Sequence, residues 1–172
     1  VKEKGRPVTI TDMELVGAHK AAAGADRSVL RPQFTGIFGG ATVVNDVYEL
    51  PASAEDWGGW ANDDKVEYPL SFPKTASFMF TASTTVAAGV TVFVKLEQLP
   101  HPDTEPSYTT AEVLVSGSAP ADYSIVIPAQ GARTYSNMLL YVKEKGRPVT
   151  ITDVELVGAV AGGGAEPVGD AM

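Results

Sequence analysis

GVTVFVKLEQL, residues 89–99, alternates without a break: Val90, Val92, Val94 and Leu96 share one parity, and Thr91, Phe93, Lys95 and Glu97 the other. Successive side chains of a strand point to opposite faces, so the first set reads as core and the second as an outward face. Neighbouring runs follow the same rule. Phe78, Phe80 and Ala82 oppose Ser77, Met79 and Thr81, and Ala111, Val113 and Val115 oppose Glu112 and Leu114. Tyr123, Ile125 and Ile127 oppose Ser124 and Val126 until Pro128 and Gly131 end the run, and Met138, Leu140 and Val142 oppose Leu139, Tyr141 and Lys143. The run 148–157 changes phase: Val149 and Ile151 share one parity, Val154 and Leu156 the other. A bulge near Thr152 and Asp153 would keep all four inside. With stretches at 42–50 and 66–72, about eight or nine strands are expected. That pattern is all-β, a two-sheet antiparallel β-sandwich. The one helix-friendly stretch, 18–25, carries no apolar stripe.

VKEKGRPVTITDMELVGA at Val1–Ala18 returns as VKEKGRPVTITDVELVGA at Val142–Ala159, with Met13 in place of Val154 the only difference. The reading is a window cut across a tandem array. Residues 1–18 are the last strand of a preceding repeat, 19–33 a linker, 34–158 the sandwich module, and 159–172 a Gly/Ala-rich linker to a following repeat. A chain that opens on Val1 fits a piece of something longer. Two such segments compete for one place in a sheet, so Val8, Ile10, Met13 and Leu15 form a candidate assembly strand for a neighbouring copy. A head-to-tail contact of that kind builds a fibre unless its rotation closes.

Thirteen Lys and Arg against 21 Asp and Glu give a net charge of −8 and a pI of about 4.7. Cations so few and so mixed with carboxylates argue against nucleic acid and against anionic membrane surfaces. No apolar run approaches the roughly 18 residues of a membrane span, so no membrane insertion is expected. Cysteine is absent and histidine is confined to His19 and His101. Thiol nucleophiles and cysteine-ligated zinc are therefore excluded, and a Ser-His arrangement finds His19 in the linker and His101 in a Pro-flanked loop. Glu67, Glu97 and Glu112 offer carboxylates for a glycosidase, but strand-borne acids read more simply as solvated face residues. Gly162–Gly164 lack the Lys and Ser/Thr of a phosphate-binding loop. The expectation is a protein without an enzyme's machinery.

The richest segment is AEDWGGWANDDKVEYPLSF, residues 54–72. It sets Trp57 and Trp60 beside Asn62, Asp63, Asp64 and Tyr68. Aromatic faces stack on sugar rings while amides and carboxylates bond the hydroxyls. Of the two indoles, Trp57 reads as the core plug and Trp60 as the one a groove can expose. Phe93, Lys95, Glu97 and Gln98 form a second cluster, with Tyr141 and Lys143 alongside. Asn62, Asp63, Asp64, Asp103 and Glu105 are oxygen-rich loop residues of the kind that hold calcium, though in no ordered ligand spacing.

FGGATVVNDVYELPASAEDWGGWANDD (38–64), then YPLSF, FTAS, VKLEQLPHPDTEPSYTT, VSG, YSIVIPAQG and VTITDVELV, resembles the β-jelly-roll carbohydrate-binding modules of the family 4, 9 and 16 type. Such modules are attached to marine bacterial polysaccharide-degrading enzymes and large surface proteins. The resemblance covers Phe38–Val157. It implies a jelly roll, non-catalytic glycan binding in a groove on one sheet or at the loop edge, an extracellular or cell-surface location, and a structural calcium. Trp57 and Trp60 fall in the aromatic-rich segment, and Lys95 and Glu97 on the strand that lines the groove. The partner is then a polysaccharide or cell-surface glycan. The alternative is a purely structural repeat, built into a fibre through residues 1–18.

Overall fold

The computed structural model describes residues 28–62 and 66–162. The candidate assembly residues Val8, Ile10, Met13 and Leu15 and the acidic pair Asp63 and Asp64 lie outside the described residues.

In chain order the strands are β1 (Val29–Leu30), β2 (Gly36–Phe38), β3 (Thr42–Val44), β4 (Val47–Glu49), β5 (Gly59–Ala61), β6 (Leu70–Ser71) and β7 (Ala76–Ser83). They continue with β8 (Val90–Glu97), β9 (Ser107–Thr109), β10 (Val113–Val115), β11 (Ala121–Ile127), β12 (Thr134–Tyr135), β13 (Asn137–Val142) and β14 (Val149–Val157). One six-stranded sheet runs β11-β7-β14-β4-β3 with β1 also on β14; the other runs β10-β8-β13-β5-β2 with β9 also on β8. Strands β12 and β6 form a small ribbon. Every pairing between strands is antiparallel, and no helix occurs among the described residues. The expected all-β sandwich is therefore present. It has more strands than the eight or nine expected, because elements of two or three residues are too short to show alternation.

The core lies between the two sheets. Val90, Val92, Val94 and Leu96 of β8 are fully buried, and Phe78, Phe80, Ile125, Ile127, Met138 and Leu140 join them. Each side chain of this size contributes about 1.5–3 kcal/mol on burial. The phase change in β14 is a bulge: its register with β7 shifts between Thr152 and Glu155, and Asp153 takes a φ of 51°. Val149, Ile151 and Leu156 are thereby all buried, with Val154 half-buried against them. Strands β3 and β4 are joined by Asn45 and Asp46, both at positive φ, as a two-residue hairpin turn requires.

The sandwich is longer at both ends than 34–158. Val29 and Leu30, inside the expected linker 19–33, pair with Val157 and Leu156, and Phe34 is fully buried. Beyond 158, Ala159 is buried and Val160 bridges Ser71. Strands of two residues inside an Ala-rich stretch leave no periodic trace, and the pairing partner alone defines them.

Candidate functional site

The register of the second sheet builds its outward face row by row. Phe93 lies opposite Tyr141, Lys95 opposite Leu139 and Thr109, and Glu97 opposite Asn137 and Ser107. On the other side of β13, Leu139 faces Ala61, Ala61 faces Gly36, and Gly59 faces Phe38. Small residues on β5 and β2 leave a trench beside the larger ones on β13 and β8. The trench is a cleft of about 700 Å³ whose walls include Phe38, Trp57, Tyr141, Asn137, Glu97 and His101.

Four rings cross the face. Trp57 lies nearly parallel to Phe38, with ring centroids 6.3 Å apart; Phe38 meets Tyr141 edge to face at 5.9 Å; Tyr141 stacks on Phe93 at 5.2 Å. Trp57 is 60% exposed. Its loop is tied to the β2 end by the amide of Glu55, which donates to the Gly39 carbonyl at 2.8 Å. Gly39 has a φ of +62°, and a Cβ there would sit 2.5 Å from the Gly58 Cα. Only glycine allows that approach, which carries Trp57 to Phe38.

The far end of the face is polar. The Lys95 ammonium lies 3.5 Å from Glu97 and 3.4 Å from Glu105. The Glu97 side chain is only 8% exposed, so its charge is held close to Lys95. The Ser107 hydroxyl donates to Glu105 at 2.8 Å, and this bond, with Lys95 assisting, holds the Glu105 carboxyl below its usual range. The Tyr141 phenol is pushed up to about 12 by burial, with the Glu97 charge adding to it. In the opposite sheet, burial and the Asp46 charge push Tyr48 up to about 12 as well.

These two phenols stay protonated where unfolded tyrosines ionise, near pH 10. The folded state then binds more protons between about pH 10 and 12, so stability is intact below that window and falls as pH rises through it. The expected result is a Tm that holds to about pH 9.5 and drops toward pH 12, with a shallower drop in Tyr48→Phe, read by circular dichroism.

Trp57 and Trp60 exchange the places expected of them. Trp60 is fully buried, edge to face with Tyr48 at 5.2 Å, and offers no ring face to a ligand. The cause is the alternation of β5: Gly59 and Ala61 point outward, so the residue between them points to the core. Trp57 precedes the strand and stays outside. Tyr68 does not line the cleft. Its hydroxyl accepts from the Asn62 amide at 2.7 Å, while the Asn62 carbonyl accepts from the Gln33 N–H at 3.0 Å, which ties Tyr68 and Asn62 to the chain before β2. Lys143 pairs with Glu112 at 2.9 Å on the exposed surface.

Phe93, Lys95, Glu97 and Tyr141 do share one face, as their parity predicts. Phe38, Asn137, Leu139 and His101 were not among the expected residues. Phe38 could have been sought as an aromatic beside Gly39 and Gly40 in the resemblance's opening stretch, but Asn137 and Leu139 depend on register. For calcium, Asp103 is exposed, and no group of three or more His, Cys, Asp or Glu side chains placed to hold a metal occurs among the described residues.

A run of aromatic rings with an exposed indole face, beside a carboxylate, an amide and an ammonium, can stack the C–H face of a sugar ring and bond its hydroxyls. The architecture is a two-sheet antiparallel β-sandwich of jelly-roll type, and the solved structures it is similar to are described as carbohydrate-binding modules. The tandem CBM22-1–CBM22-2 domain of Paenibacillus barcinonensis Xyn10C aligns with a TM-score of 0.52 at 13% identity, over 88% of this chain and 50% of that one. The CBM22-1 xylan-binding domain of the same protein gives 0.50 at 13% identity, over 83% of this chain and 99% of that one. The CBM22-1–GH10 modules of Clostridium thermocellum xylanase 10B, complexed with xylohexaose, give 0.47 at 10% identity, over 78% and 25%. This chain thus spans a quarter to a half of the multi-module chains and almost all of the single module. No protein-family model matches the sequence, and no curated protein does.

Proposed function

We propose that this protein is a non-catalytic module that holds a polysaccharide chain along the outward face of the β8-β13-β5-β2 sheet. The observation that carries the reading is the run of rings Trp57, Phe38, Tyr141 and Phe93 beside an open cleft walled by Glu97 and Asn137, with Lys95 paired to Glu97. Trp57 is the outermost ring and the natural platform for a sugar; the polar end bonds hydroxyls and sets orientation. A jelly-roll frame shared with a xylan-binding domain supports a β-linked polysaccharide as ligand. An extracellular or cell-surface location suits such a ligand, and the duplicated segment suits one repeat of a tandem array used for attachment.

Isothermal titration with xylohexaose, and in parallel with cellohexaose and laminarihexaose, tests this. At least one should bind. Trp57→Ala should weaken that ligand by about 2 kcal/mol, or roughly 30-fold, as loss of an aromatic anchor does. Its stability should change by no more than about 0.5 kcal/mol, because the ring is mostly solvated. No binding by any of the three, or equal affinity in Trp57→Ala, would overturn the reading.

A further inference from the structure

On one side of β14 two different strands lie end to end. Strand β4 pairs with Val149 and Thr150 and β1 with Leu156 and Val157, so residues 151–155 face neither ladder. The bulge falls in this interval, with Asp153 at a φ of 51°. The gap is a cavity of about 360 Å³ between the bulge, the β3–β4 turn and residues 31–35, which cross from one sheet to the other. It shares no lining residue with the cleft on the opposite sheet.

Phe34, Tyr48 and Ile151 line the cavity with buried side chains. Tyr48 is 6% exposed, its ring packs against Trp60, and its hydroxyl has no hydrogen-bond partner among the described residues. The side-chain polar atom that is both sealed and unpartnered is the Trp60 Nε1, so the Tyr48 oxygen, equally without a partner, is not sealed. The open space that Tyr48 lines is this cavity. A buried hydroxyl left without a partner is costly, and a ligand that bonds it recovers the loss.

The rest of the wall says what such a ligand carries. Asp46 and Asp153 are exposed carboxylates at the rim, and the Asp46 charge reaches the Tyr48 phenol. The rim's cation is already engaged, because the Arg31 guanidinium bonds Glu155 at 2.9 Å. The Thr152 hydroxyl is spent as well, on Asp153 at 3.1 Å. Two carboxylates and a phenol oxygen therefore wait for donors in a negative field, which repels anions. An ammonium brings three donors and a positive charge, and its bonds to carboxylates are charge-assisted. Gln33 and Thr35 add an amide and a hydroxyl suited to neutral hydroxyl groups. The volume is at the low end for ligand sites, so the ligand has one ring and is not a chain.

We propose that this cavity binds a protonated amino sugar, one ring in size, with its ammonium taken by Asp46, Asp153 and the Tyr48 oxygen and its hydroxyls by Gln33 and Thr35. The site stands on its own residues, whether or not the cleft takes a polysaccharide.

The test titrates glucosamine into the full chain, labelled with nitrogen-15, at about pH 6, where the amine is protonated. The amide resonances of Asp46 and Thr152–Val154 should shift and saturate with a Kd of about 1 mM, the strength open to a ligand of about a dozen non-hydrogen atoms. Glucose and N-acetylglucosamine keep the ring but lack the charge, and should bind at least about 10-fold more weakly. Tyr48→Phe removes one oxygen, and Asp46→Asn keeps a residue at ease at positive φ; each should weaken glucosamine at least about 10-fold. Both should keep the parental spectrum away from the cavity, which separates lost binding from lost fold. The proposal fails if these amides do not shift below about 20 mM glucosamine, or if only amides of the cleft do. It fails if the neutral sugars bind as well. It fails too if Tyr48→Phe binds at parental strength, because the acidic surface is then attracting the cation without a site.

Discussion

Trp60→Ala should lower stability by about 3–5 kcal/mol, which for a chain of this size lowers Tm by about 6–20 °C. The indole is the largest fully buried side chain among the described residues, and it packs across from Tyr48 between the two sheets, so its removal leaves a cavity that two sheets held by backbone ladders cannot close. A second substitution refines the prediction. Among the described residues the Trp60 Nε1–H has no hydrogen-bond partner, and an orphaned buried donor costs about 1–3 kcal/mol. Trp60→Phe keeps most of the apolar contact and removes that donor, so it should lie within about 1.5 kcal/mol of the parent. Urea unfolding followed by intrinsic fluorescence and circular dichroism reads both. A Trp60→Ala protein as stable as the parent would mean that Trp60 is not the core plug and would return it to the list of candidate ligand platforms.

The contrast between Trp57 and Trp60 shows where reading by sequence stops. Alternation in Val90–Glu97 is long enough to assign every side chain to a face, and of the residues it placed outward Glu97 lines the cleft while Phe93 stacks on the cleft's Tyr141. The phase break in β14 was equally legible, because four apolar residues in two parities leave a bulge as the simplest way to bury them all. Strand β5 has three residues, and nothing in GGWAN states which of them begins the strand. Shift its start by one and the indole changes face, since a single-residue slip inverts every side chain. Partners across strands were hidden for a related reason. That Asn137 stands beside Glu97, or Ala61 beside Leu139, follows from pairings over a long chain separation. Strand β13 carries a further sign in its sequence: Leu139 and Tyr141 are apolar on the outward side as well as Met138 and Leu140 on the inward side. A strand apolar on both faces is one whose outer face is covered or reserved for a ligand.

Gly59→Val should abolish polysaccharide binding to a greater degree than loss of any one ring. Gly59 is not among the positive-φ glycines, so its backbone would accept valine, a good strand former; the effect is steric alone. A Cβ at this position would lie 2.9 Å from the Leu140 carbonyl oxygen, 3.0 Å from Phe38 Cζ and 3.0 Å from Tyr141 Cδ1. The carbonyl belongs to the β13 backbone and cannot yield cheaply, so the two rings must swing away, and the two valine methyls then fill the trench they bordered. Overpacking of this kind costs about 1–3 kcal/mol, which a sandwich with this core tolerates. Binding, however, loses the edge-to-face contact of Phe38 on Tyr141, and with it the support of Trp57 on one side and Phe93 on the other. A fall of at least about 100-fold is expected, against roughly 30-fold for Trp57→Ala, with Gly59→Ala in between. Calorimetric titration beside a thermal melt separates the two effects. A Gly59→Val protein that stays folded and binds its oligosaccharide at parental strength would move the ligand off this face altogether.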